Sequence, residues 1–456
     1  MNDTIAAIAT GGTISAIGIV RISGNSAIFA ADKIFRATIN TRLAEMPNRK
    51  MIYGKLLGSD GDLIDMCLCV ISRGPDTYTG EDTVEFHCHG SPIVLSETMR
   101  SLFSHGVRQA EAGEFTKHAF LNGRMDLTQA EAVIDLIEAE TPSAAKNAAG
   151  QLGGAIRQKL ESQYSQLLDI IAHFHAAIDY PDEDIDDFDM QSYLPTLNNA
   201  KNELAQMLAS CERGRVLRDG IPTAIIGRPN TGKSSLLNLL LGYDRAIVTD
   251  IPGTTRDTVE EKVSVGGSLL RLIDTAGLRE TNDVIESIGV NRTHDAIARA
   301  DLVVIVLDGS EVLQEEDYSV LRSVSDKTRK IIVVNKSDLQ HALSDKDIGA
   351  FGLKFCRMSA LTGDGLSDFE HTITDVFPMS EVSPNGDIIT NMRQEDAINR
   401  AAESIRIAII AIESSLTPDA VLTDIELALE AIGETTGKVM RDDIVTRIFE
   451  RFCVGK

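Results

Sequence analysis

The spacing of apolar and polar residues divides the chain into four segments of different character. Residues 1–118 combine strand-like runs such as IGIVRIS and LIDMCLCVIS with helical stretches, which predicts a mixed α/β segment. Residues 119–215 carry apolar positions at helical intervals, as in DLTQAEAVIDLIEAE. In 216–378 buried strand-like runs alternate with helices, which is typical of a mostly parallel sheet covered on both faces. Residues 379–456 return to a helical pattern.

The two helical segments flank the α/β segment, so we predict one discontinuous helical domain with an inserted α/β domain. Insertions are tolerated where chain ends lie close together. Thr128 and Glu131 have capping-box spacing, which predicts a helix start there, and a second long helical run covers about 143–178. The acidic stretch DYPDEDIDDFD that follows indicates a solvated loop and helix start, with a metal site as the alternative.

Composition narrows the class of protein. A length of 456 residues predicts roughly three domains. The formal net charge of -24 repels polyanions, so tight binding to a nucleic acid would need a basic partner or a local basic patch. The six cysteines include no C-x-x-C pair, which favours a reducing cytoplasm. The apolar N-terminal stretch is too short to span a membrane and follows no basic region, so we predict no signal peptide.

Four short motifs predict a GTP site at the edge of the sheet in the third segment. GRPNTGKS at 227–234 matches the phosphate-binding loop, in which backbone N–H groups, a lysine and a hydroxyl meet phosphates and Mg²⁺. DTAG at 274–277 and NKSD at 335–338 each end a strand-like run, and SAL follows at 359–361. The Asp338 carboxylate suits the two N–H donors of guanine, whereas adenine presents an acceptor at the ring position.

The residues available for GTP hydrolysis differ from those of Ras-like proteins. Leu278 follows DTAG, where Ras-like proteins place a glutamine that orients the attacking water. Glu280 and Glu286 lie downstream, and for each a water-orienting role and a surface ion pair are equally good explanations. In TDIPGTTRD, Thr255 is a candidate for the switch threonine that closes on Mg²⁺. Arg256 is a candidate arginine finger, although an ion pair with its neighbour explains it equally well.

Histidines and cysteines in the first segment raise the question of a metal site. In HCH at 87–89 the two histidines point to one face of a strand and Cys88 to the other, which argues against a shared three-ligand site. Cys67 and Cys69 lie on one strand face, so we predict that they are core residues.

Beyond these motifs, nearly the whole chain resembles the bacterial tRNA-modifying GTPases of the TrmE-Era-EngA-like P-loop superfamily. The resemblance is carried by the stretches GRPNTGKSSLLN, AIVTDIPGTTRD, DTAGLRE, DTIAAIAT, RISG, TGEDTVEFHCHGSP, GEFTKHAFLNGRMDLTQAEAVIDLI and FCVGK. The N-terminal and C-terminal stretches are more specific than the motifs that many GTPases share. Two positions depart from the family pattern: GGTIS replaces the usual proline- and glycine-rich turn, and His118 stands where an arginine is common.

The resemblance implies a potassium-dependent GTPase that acts with a flavin-dependent partner, MnmG (GidA). Together they would add a carboxymethylaminomethyl- or aminomethyl-type group to carbon 5 of the wobble uridine (U34) of certain tRNAs. The implied one-carbon donor is 5-formyl- or methylene-tetrahydrofolate, and FAD would be carried by the partner, because this chain shows no flavin motif. A cytoplasmic homodimer is also implied, whose domains are a dimerisation and folate-binding domain (1–118), a helical domain (119–215 and 379–456) and a G domain (216–378).

The resemblance also assigns candidate residues for catalysis, metals and folate. Glu286 matches the water-orienting glutamate and therefore takes precedence over Glu280, and Lys233 and Thr255 complete the predicted catalytic set. The predicted Mg²⁺ contacts are Ser234 and Thr255, and the predicted K⁺ contacts are Asn230, Thr249, Ile251 and Thr254. The predicted folate contacts are Arg21, Glu85, Arg124 and Lys456.

The predicted GTP-binding set covers all four nucleotide motifs and the switch loop. Its members are Asn230, Thr231, Gly232, Lys233, Ser234, Ser235, Thr249, Asp250, Ile251, Pro252, Gly253, Thr254, Thr255, Asp274, Thr275, Ala276, Gly277, Asn335, Lys336, Asp338, Ser359 and Ala360.

Two other classes of function compete with this hypothesis. A GTP-controlled RNA-binding switch in ribosome assembly would need a basic module, and none is apparent. A prenylated membrane switch would explain a cysteine fourth from the end, but CVGK has glycine at the third position and lacks an upstream polybasic stretch. For Cys453 two roles stay open, a reactive thiol in tRNA modification and a buried residue that fixes the tail, and we favour the second.

Overall fold

The computed structural model describes residues 3–39, 41–179, 189–243, 261–273, 295–377 and 386–439, together with 445, 448–450, 452, 454 and 455. The chain divides into two compact units. The N-terminal unit comprises residues 1–134, 157–172 and 426–456, and the central unit comprises residues 135–156 and 173–425.

A mixed sheet and three helices form residues 5–121 of the N-terminal unit. Its strands are β1 (Ile5–Ile8), β2 (Ser15–Ser23), β3 (Phe35–Ala37), β4 (Met51–Leu57), β5 (Leu63–Ser72), β6 (Thr83–Gly90) and β7 (Arg108–Gln109). They are ordered β3-β4-β5-β6-β2-β1-β7, with only the β1–β7 pair parallel. The helices are α1 (Ala27–Ile34), α2 (Pro92–Ser104) and α3 (Glu114–Leu121). The predicted mixed α/β character is confirmed.

Strand alternation sends apolar side chains into the core beneath α1 and α2. Cys67 and Cys69 are buried there, as predicted, and Cys88 joins them. His87 and His89 lie on the opposite face of β6, so the alternation predicted for the HCH stretch is also confirmed. Within the described residues no cluster of histidine, cysteine and carboxylate side chains is arranged to hold a metal ion.

Between α3 and the second sheet the described residues form the helices α4 (Leu127–Ile137), α5 (Pro142–Leu152), α6 (Ala155–Asp179), α7 (Leu194–Leu208) and α8 (Cys211–Asp219). Two predictions about them are wrong in detail. The capping box of α4 is Asp126 with Gln129, two residues earlier than predicted: the Asp126 carboxylate accepts from the Gln129 N–H at 2.9 Å and the Gln129 side chain accepts from the Asp126 N–H at 3.1 Å. The run predicted as one helix over 143–178 is broken at Gly153–Gly154, where Gly154 has a φ of 91° that a helix does not allow. The acidic stretch after α6 lies outside the described residues from residue 180 to 188.

A largely parallel sheet forms the α/β part of the central unit. Its strands are β8 (Ile221–Ile226), β9 (Glu261–Val265), β10 (Ser268–Leu272), β11 (Leu302–Asp308), β12 (Arg329–Asn335) and β13 (Lys354–Arg357), in the order β13-β12-β11-β8-β10-β9. Every neighbouring pair is parallel except β9–β10. Its helices include α9 (Lys233–Tyr243), α10 (Glu315–Ser323), α11 (Asp345–Gly349) and α12 (Leu366–Val376). Separate apolar clusters cover the two faces, which confirms the sheet predicted from the buried runs.

Two long helices follow the sheet, α13 (Met392–Glu413) and α14 (Pro418–Thr436). The segment before α13 is held by buried hydrogen bonds from helices that precede the sheet. The Ile388 carbonyl accepts from the amides of Asn147 and Gln151, and the Ile389 N–H donates to the Ser210 hydroxyl at 3.2 Å. The segment that follows the sheet therefore packs against helices that precede it in the sequence. The domain boundaries stay a prediction.

A glycine in α8 generates a prediction about this contact. A Cβ at Gly214 would overlap the Ile389 carbonyl oxygen. We expect Gly214→Ala to lower the free energy of unfolding by about 1–3 kcal/mol. Alanine in place of a helical glycine normally raises the stability, so the expected change has the opposite sign to the usual one. Urea unfolding followed by circular dichroism measures it. Gly349→Ala in α11, where an added Cβ meets nothing within 4 Å, is the matched control. Equal stability of the two variants would contradict the contact.

Candidate functional site

The described nucleotide motifs meet at one edge of the central sheet. The loop at 227–232 joins β8 to α9, Asn335 ends β12, and Ser359 follows β13 closely. Because β8, β11, β12 and β13 are parallel neighbours in series, their carboxyl ends share that edge.

Backbone conformation in the loop after β8 depends on two glycines. Gly227 and Gly232 have φ of 155° and 96°. A Cβ at Gly227 would overlap the Val306 carbonyl oxygen, and a Cβ at Gly232 would overlap the side-chain amide of Asn335. Asn230 also has a positive φ, 64°. These conformations let backbone N–H groups turn towards a phosphate, as in P-loops.

Lys233 begins α9 with its ammonium group directed at the loop. Its Nζ donates to the Arg228 carbonyl oxygen at 2.8 Å, and among the described residues no carboxylate lies in ion-pair range of it. Burial lowers the pKa of Lys233 below its usual value, because the charged form has lost water without gaining a counter-charge. Such a cation favours an anionic ligand. In the same first turn Ser234 is half-buried and Ser235 is exposed.

Asn335 ties two of the motifs together. It is 3% exposed, and its side chain donates to the Thr231 carbonyl at 2.8 Å and accepts from the Ala360 N–H at 2.9 Å. Both hydrogen bonds are buried. The predicted ligand residue Asn335 therefore acts as a brace between the phosphate loop and the SAL segment, and Ser359 is itself fully buried beside it.

An ion pair that the sequence patterns did not predict lies next to this brace. Asp308 ends β11 and is 5% exposed, and its carboxylate lies 2.5 Å from Lys336 Nζ. Burial would raise the pKa of Asp308, but hydrogen bonds from Lys336 and Ser310 outweigh it, so the pKa lies below its usual value. An aspartate at the end of a buried apolar strand, as in LVVIVLD, is the signal that could have found it.

Asp338 lies beyond this pair with an exposed side chain. Among the described residues its carboxylate has no hydrogen-bond or ion-pair partner, so it is open to a donor from solvent or a ligand. Neighbouring Lys336 adopts a φ of 65°, which turns the NKSD segment at the strand end.

Many of the predicted nucleotide residues lie outside the described residues. They are Thr249, Asp250, Ile251, Pro252, Gly253, Thr254, Thr255, Asp274, Thr275, Ala276, Gly277 and Glu286. Cys453 and Lys456 also lie outside. Their roles stay predictions.

A second candidate site is a cavity of about 280 Å³ in the N-terminal unit. Its wall combines charged, hydroxyl and apolar side chains: Arg21, Arg49, Val70, Ser72, Asp76, Thr77, Tyr78, Thr79, Thr83 and Glu85. Two of the predicted folate contacts, Arg21 and Glu85, therefore lie in one wall.

Arg21 and Glu85 are cross-strand partners on β2 and β6. Arg21 Nε lies 2.7 Å from Glu85 Oε1, and each side chain is 25% exposed. The Arg21 guanidinium also lies 5.8 Å from the Phe115 ring centroid and 6.0 Å from that of Tyr78, within cation–π range. Strand pairing and aromatic contacts thus hold the pair in place.

Arg124 reaches the same wall from the turn after α3. Its Nη1 lies 3.5 Å from an Asp76 carboxylate oxygen, and Arg49 donates to the Asp76 carbonyl. The described part of the C-terminal tail also lies in this unit: Val454 bridges Ala112. Lys456 follows two residues later.

Taken together, a parallel sheet with a phosphate loop after its first strand and NKSD at its carboxyl edge defines a P-loop nucleotide-binding protein. Two family models match the chain, the GTP-binding protein TrmE N-terminus over residues 4–124 and the MnmE helical domain over residues 127–453. The chain belongs to the MnmE (TrmE) family.

Relatives along the full length agree with this assignment. The tRNA modification GTPase MnmE of Acetivibrio thermocellus is 43% identical over 458 residues, covering 100% of this chain and 99% of that protein. The protein of the same name from Clostridioides difficile is 40% identical over 459 residues, covering 100% of both. Among solved structures, a match to the G domain of the T. maritima FeoB iron transporter covers 34% of this chain and 97% of that domain at 24% identity, with a TM-score of 0.27.

The Asp308–Lys336 pair predicts how stability depends on pH. Since the pKa of Asp308 is lowered by folding, the pair stabilises the fold above the ordinary value of 3.8 and the effect is lost as pH falls through the folded value. We expect Asp308→Asn to be less stable than the parent by about 1–3 kcal/mol at neutral pH, with the difference shrinking below about pH 4. Urea unfolding between pH 7 and 3 measures it. Asp326→Asn, at a fully exposed position paired with Lys330, is the control and should have little effect. A difference that does not change with pH would contradict the prediction.

Proposed function

We propose that this protein is a potassium-dependent GTPase that acts in tRNA modification. With a flavin-dependent partner of the MnmG (GidA) type it adds an aminomethyl- or carboxymethylaminomethyl-type group to carbon 5 of U34, drawing one carbon from a tetrahydrofolate. The observation that carries the proposal is the brace at Asn335, which joins the phosphate loop to the SAL segment beside the exposed Asp338. Full-length similarity to proteins named tRNA modification GTPase supports the rest.

The described residues fit a guanine nucleotide with Mg²⁺. The half-buried Lys233 offers a positive charge for phosphate oxygens, and the glycine conformations at 227 and 232 leave the backbone open to them. Ser234 would hold Mg²⁺, which when bound neutralises phosphate charge, and Asp338 would accept the guanine N–H donors. Thr255 and Glu286 would complete the site for hydrolysis, on the strength of the family resemblance.

A monovalent cation beside the phosphates would act in place of an arginine finger. Asn230 is exposed and held at a φ of 64°, which suits a side chain that turns towards a ligand. The other proposed K⁺ contacts, at Thr249, Ile251 and Thr254, rest on the resemblance.

The cavity of the N-terminal unit is our proposed folate site. Its volume of about 280 Å³ is near the lower end of ligand pockets, which suits one end of a folate-sized molecule. Glu85 offers acceptors for pterin N–H donors, while Arg21, Arg49 and Arg124 offer donors for carboxylates. Lys456, two residues beyond the bridge at Val454, would bring an ammonium group to the same ligand, and Cys453 would anchor the tail.

An open sheet face supports the proposed homodimer. On the side of β4 and β5 opposite the core, Met51, Tyr53 and Leu68 are 51%, 50% and 38% exposed. Tyr53 and Leu68 are direct cross-strand neighbours. A contiguous apolar surface of this kind favours contact with a second copy.

The described residues do not support either competing function, the prenylated membrane switch or the RNA-binding switch. No described helix has the length and apolar character required to span a membrane. The net charge of -24 disfavours a switch that grips RNA unaided. A partner protein would therefore contribute to holding the tRNA, and a cytoplasmic location stays part of the proposal.

Asp338→Asn tests nucleotide recognition. An amide presents a donor to the guanine N–H groups, so we expect GTP affinity to fall at least tenfold and affinity for xanthosine triphosphate, which offers an acceptor, to rise. Competition binding with both nucleotides measures this. Asp345→Asn, on an exposed carboxylate paired with Arg357, is the matched control.

GTP hydrolysis by the parent in potassium and in sodium tests the cation, and equal rates would contradict our K⁺ assignment.

Nucleoside analysis tests the reaction. In cells that lack the protein we expect C5-modified wobble uridines to disappear from tRNA and to return when the parent chain is supplied. Asp338→Asn should restore them poorly, and Asp345→Asn should restore them fully. Unchanged wobble uridines in the deletion strain would overturn the proposed function.

A further inference from the structure

Positive charge is concentrated at one edge of the sheet in the N-terminal unit. Residues 33–55 contain six lysine and arginine residues and a single acidic residue, Glu45, in a chain whose formal net charge is -24. Arg73 joins them, because its guanidinium donates to the Ala44 carbonyl at 2.7 Å and to the Met46 carbonyl at 3.1 Å. We call this surface the basic platform, and its members are Lys33, Arg36, Arg42, Arg49, Lys50, Lys55 and Arg73.

Strand pairing and hydrogen bonds gather one half of the platform around the edge strand β3. Arg36 and Lys55 are direct cross-strand partners on β3 and β4. Arg36 Nη1 donates to the Asp32 carbonyl at 2.5 Å, next to Lys33. The Asp32 carboxylate accepts at 2.8 Å from the backbone N–H that follows Arg42. The fold therefore brings together cations that no single run of the sequence contains.

The other half of the platform is held by the end of β5. The Arg49 N–H donates to the Ile71 carbonyl at 2.8 Å, and the Arg73 N–H donates to the Asn48 side-chain oxygen at 2.9 Å. These bonds fix the backbone that carries Arg49 and Lys50. Because the surface is formed before a ligand arrives, binding costs less conformational entropy.

Neighbouring carboxylates do not neutralise the platform. Within the described part of the chain none of them lies in ion-pair range of a platform residue. Arg36, Arg49 and Arg73 donate to backbone carbonyls, which accept their hydrogens but carry no formal charge. Six of the seven side chains are exposed, and that of Arg73 is half-buried. A surface of this kind attracts a polyanion.

Protection of the sheet edge does not account for the platform. Positive side chains on an edge strand discourage pairing with another chain. Only Arg36 lies on β3, whereas the other members lie on α1, on β4, directly after β5 or in the loop before β4. Their convergence therefore indicates an anionic ligand that spans several of these elements.

We propose that the basic platform binds the phosphate backbone of the substrate tRNA. That the ligand is a tRNA rests on the proposed function and on full-length relatives named tRNA modification GTPase. Arg49 belongs both to the platform and to the wall of the cavity, so RNA bound here passes beside the proposed folate site. The rest of the chain is strongly acidic and repels RNA, which confines binding to this surface and leaves the chain too weak to act as an RNA switch without a partner.

The salt dependence of RNA binding tests the proposal. Fluorescence anisotropy measures binding of a labelled tRNA transcript with uridine at position 34 to the full chain, from about 50 to 200 mM KCl. Each cation that meets a phosphate adds about 0.7–0.9 to the slope of log affinity against log salt. We expect the variant Lys33→Gln/Arg42→Gln/Lys50→Gln to bind at least tenfold more weakly than the parent at the lowest salt, with a slope smaller by about two units.

A charge-matched variant is the control. Arg100→Gln/Arg322→Gln/Arg406→Gln removes three exposed cations elsewhere, each paired with a carboxylate, and has the same net charge as the platform variant. It should keep the affinity of the parent within about twofold and the same slope. Circular dichroism and light scattering check that both variants are folded and keep the oligomeric state of the parent, because the platform adjoins the sheet face proposed for the homodimer.

Three results would overturn the platform as the tRNA surface. They are an unchanged slope in the platform variant, equal losses in both variants, and a parent chain that does not bind tRNA at the lowest salt. Sedimentation with vesicles of phosphatidylcholine and phosphatidylserine tests an anionic membrane as the occupant. Vesicle binding that the platform variant loses, with tRNA binding unchanged, would assign the surface to lipid instead.

Nucleoside analysis of the deletion strain keeps this result separate from the proposed function. Unchanged wobble uridines, together with tRNA binding that depends on the platform, would contradict the proposed reaction and leave the platform supported. Loss of the modified uridines, together with an unchanged slope in the platform variant, would support the reaction and overturn the platform.

Discussion

The parallel pairing of β8, β11 and β12 is the constraint on which the nucleotide site depends. It brings the ends of strands that are far apart in the sequence to one edge, where Asn335 spans the gap between Thr231 and Ala360 with a single amide. Both hydrogen bonds are buried, so a shift of either strand would leave polar groups unpaired in a place that water does not reach. The register of these parallel strands therefore also determines the geometry of the nucleotide site.

The two candidate sites are built by different physical means. At the central sheet the backbone presents the site: glycines with positive φ shape the loop, and one half-buried lysine provides charge. In the N-terminal unit side chains carry the site, through the Arg21–Glu85 pair on neighbouring strands and the buried carboxylates that surround His118. The first arrangement suits a phosphate chain, whose oxygens need several donors. The second suits a ligand with mixed donors and acceptors.

Sequence patterns found the elements and motifs more reliably than the contacts between them. The buried runs predicted the parallel sheet, and alternation placed Cys67 and Cys69 in the core. The capping box was placed two residues late, because Thr128-x-x-Glu131 and Asp126-x-x-Gln129 have the same spacing, and only the folded structure shows that the second pair makes the two hydrogen bonds. The Asp308–Lys336 pair was missed, because its members end different strands and the pairing exists only once those strands lie side by side.

By itself the sequence determined what depends on neighbours along the chain: strand and helix types, the glycine positions of the phosphate loop, and the chemistry at Lys233 and Asp338. It also carried the family resemblance, since that rests on the order of residues alone. Only the tertiary structure decided which polar groups meet. It turned Asn335 into a brace, placed Arg21 and Glu85 in one cavity wall, and set His118 between two carboxylates. The reason is that hydrogen bonds and charge pairs act over a few ångströms in space, and residues 37 or 104 positions apart come that close only after the chain has folded.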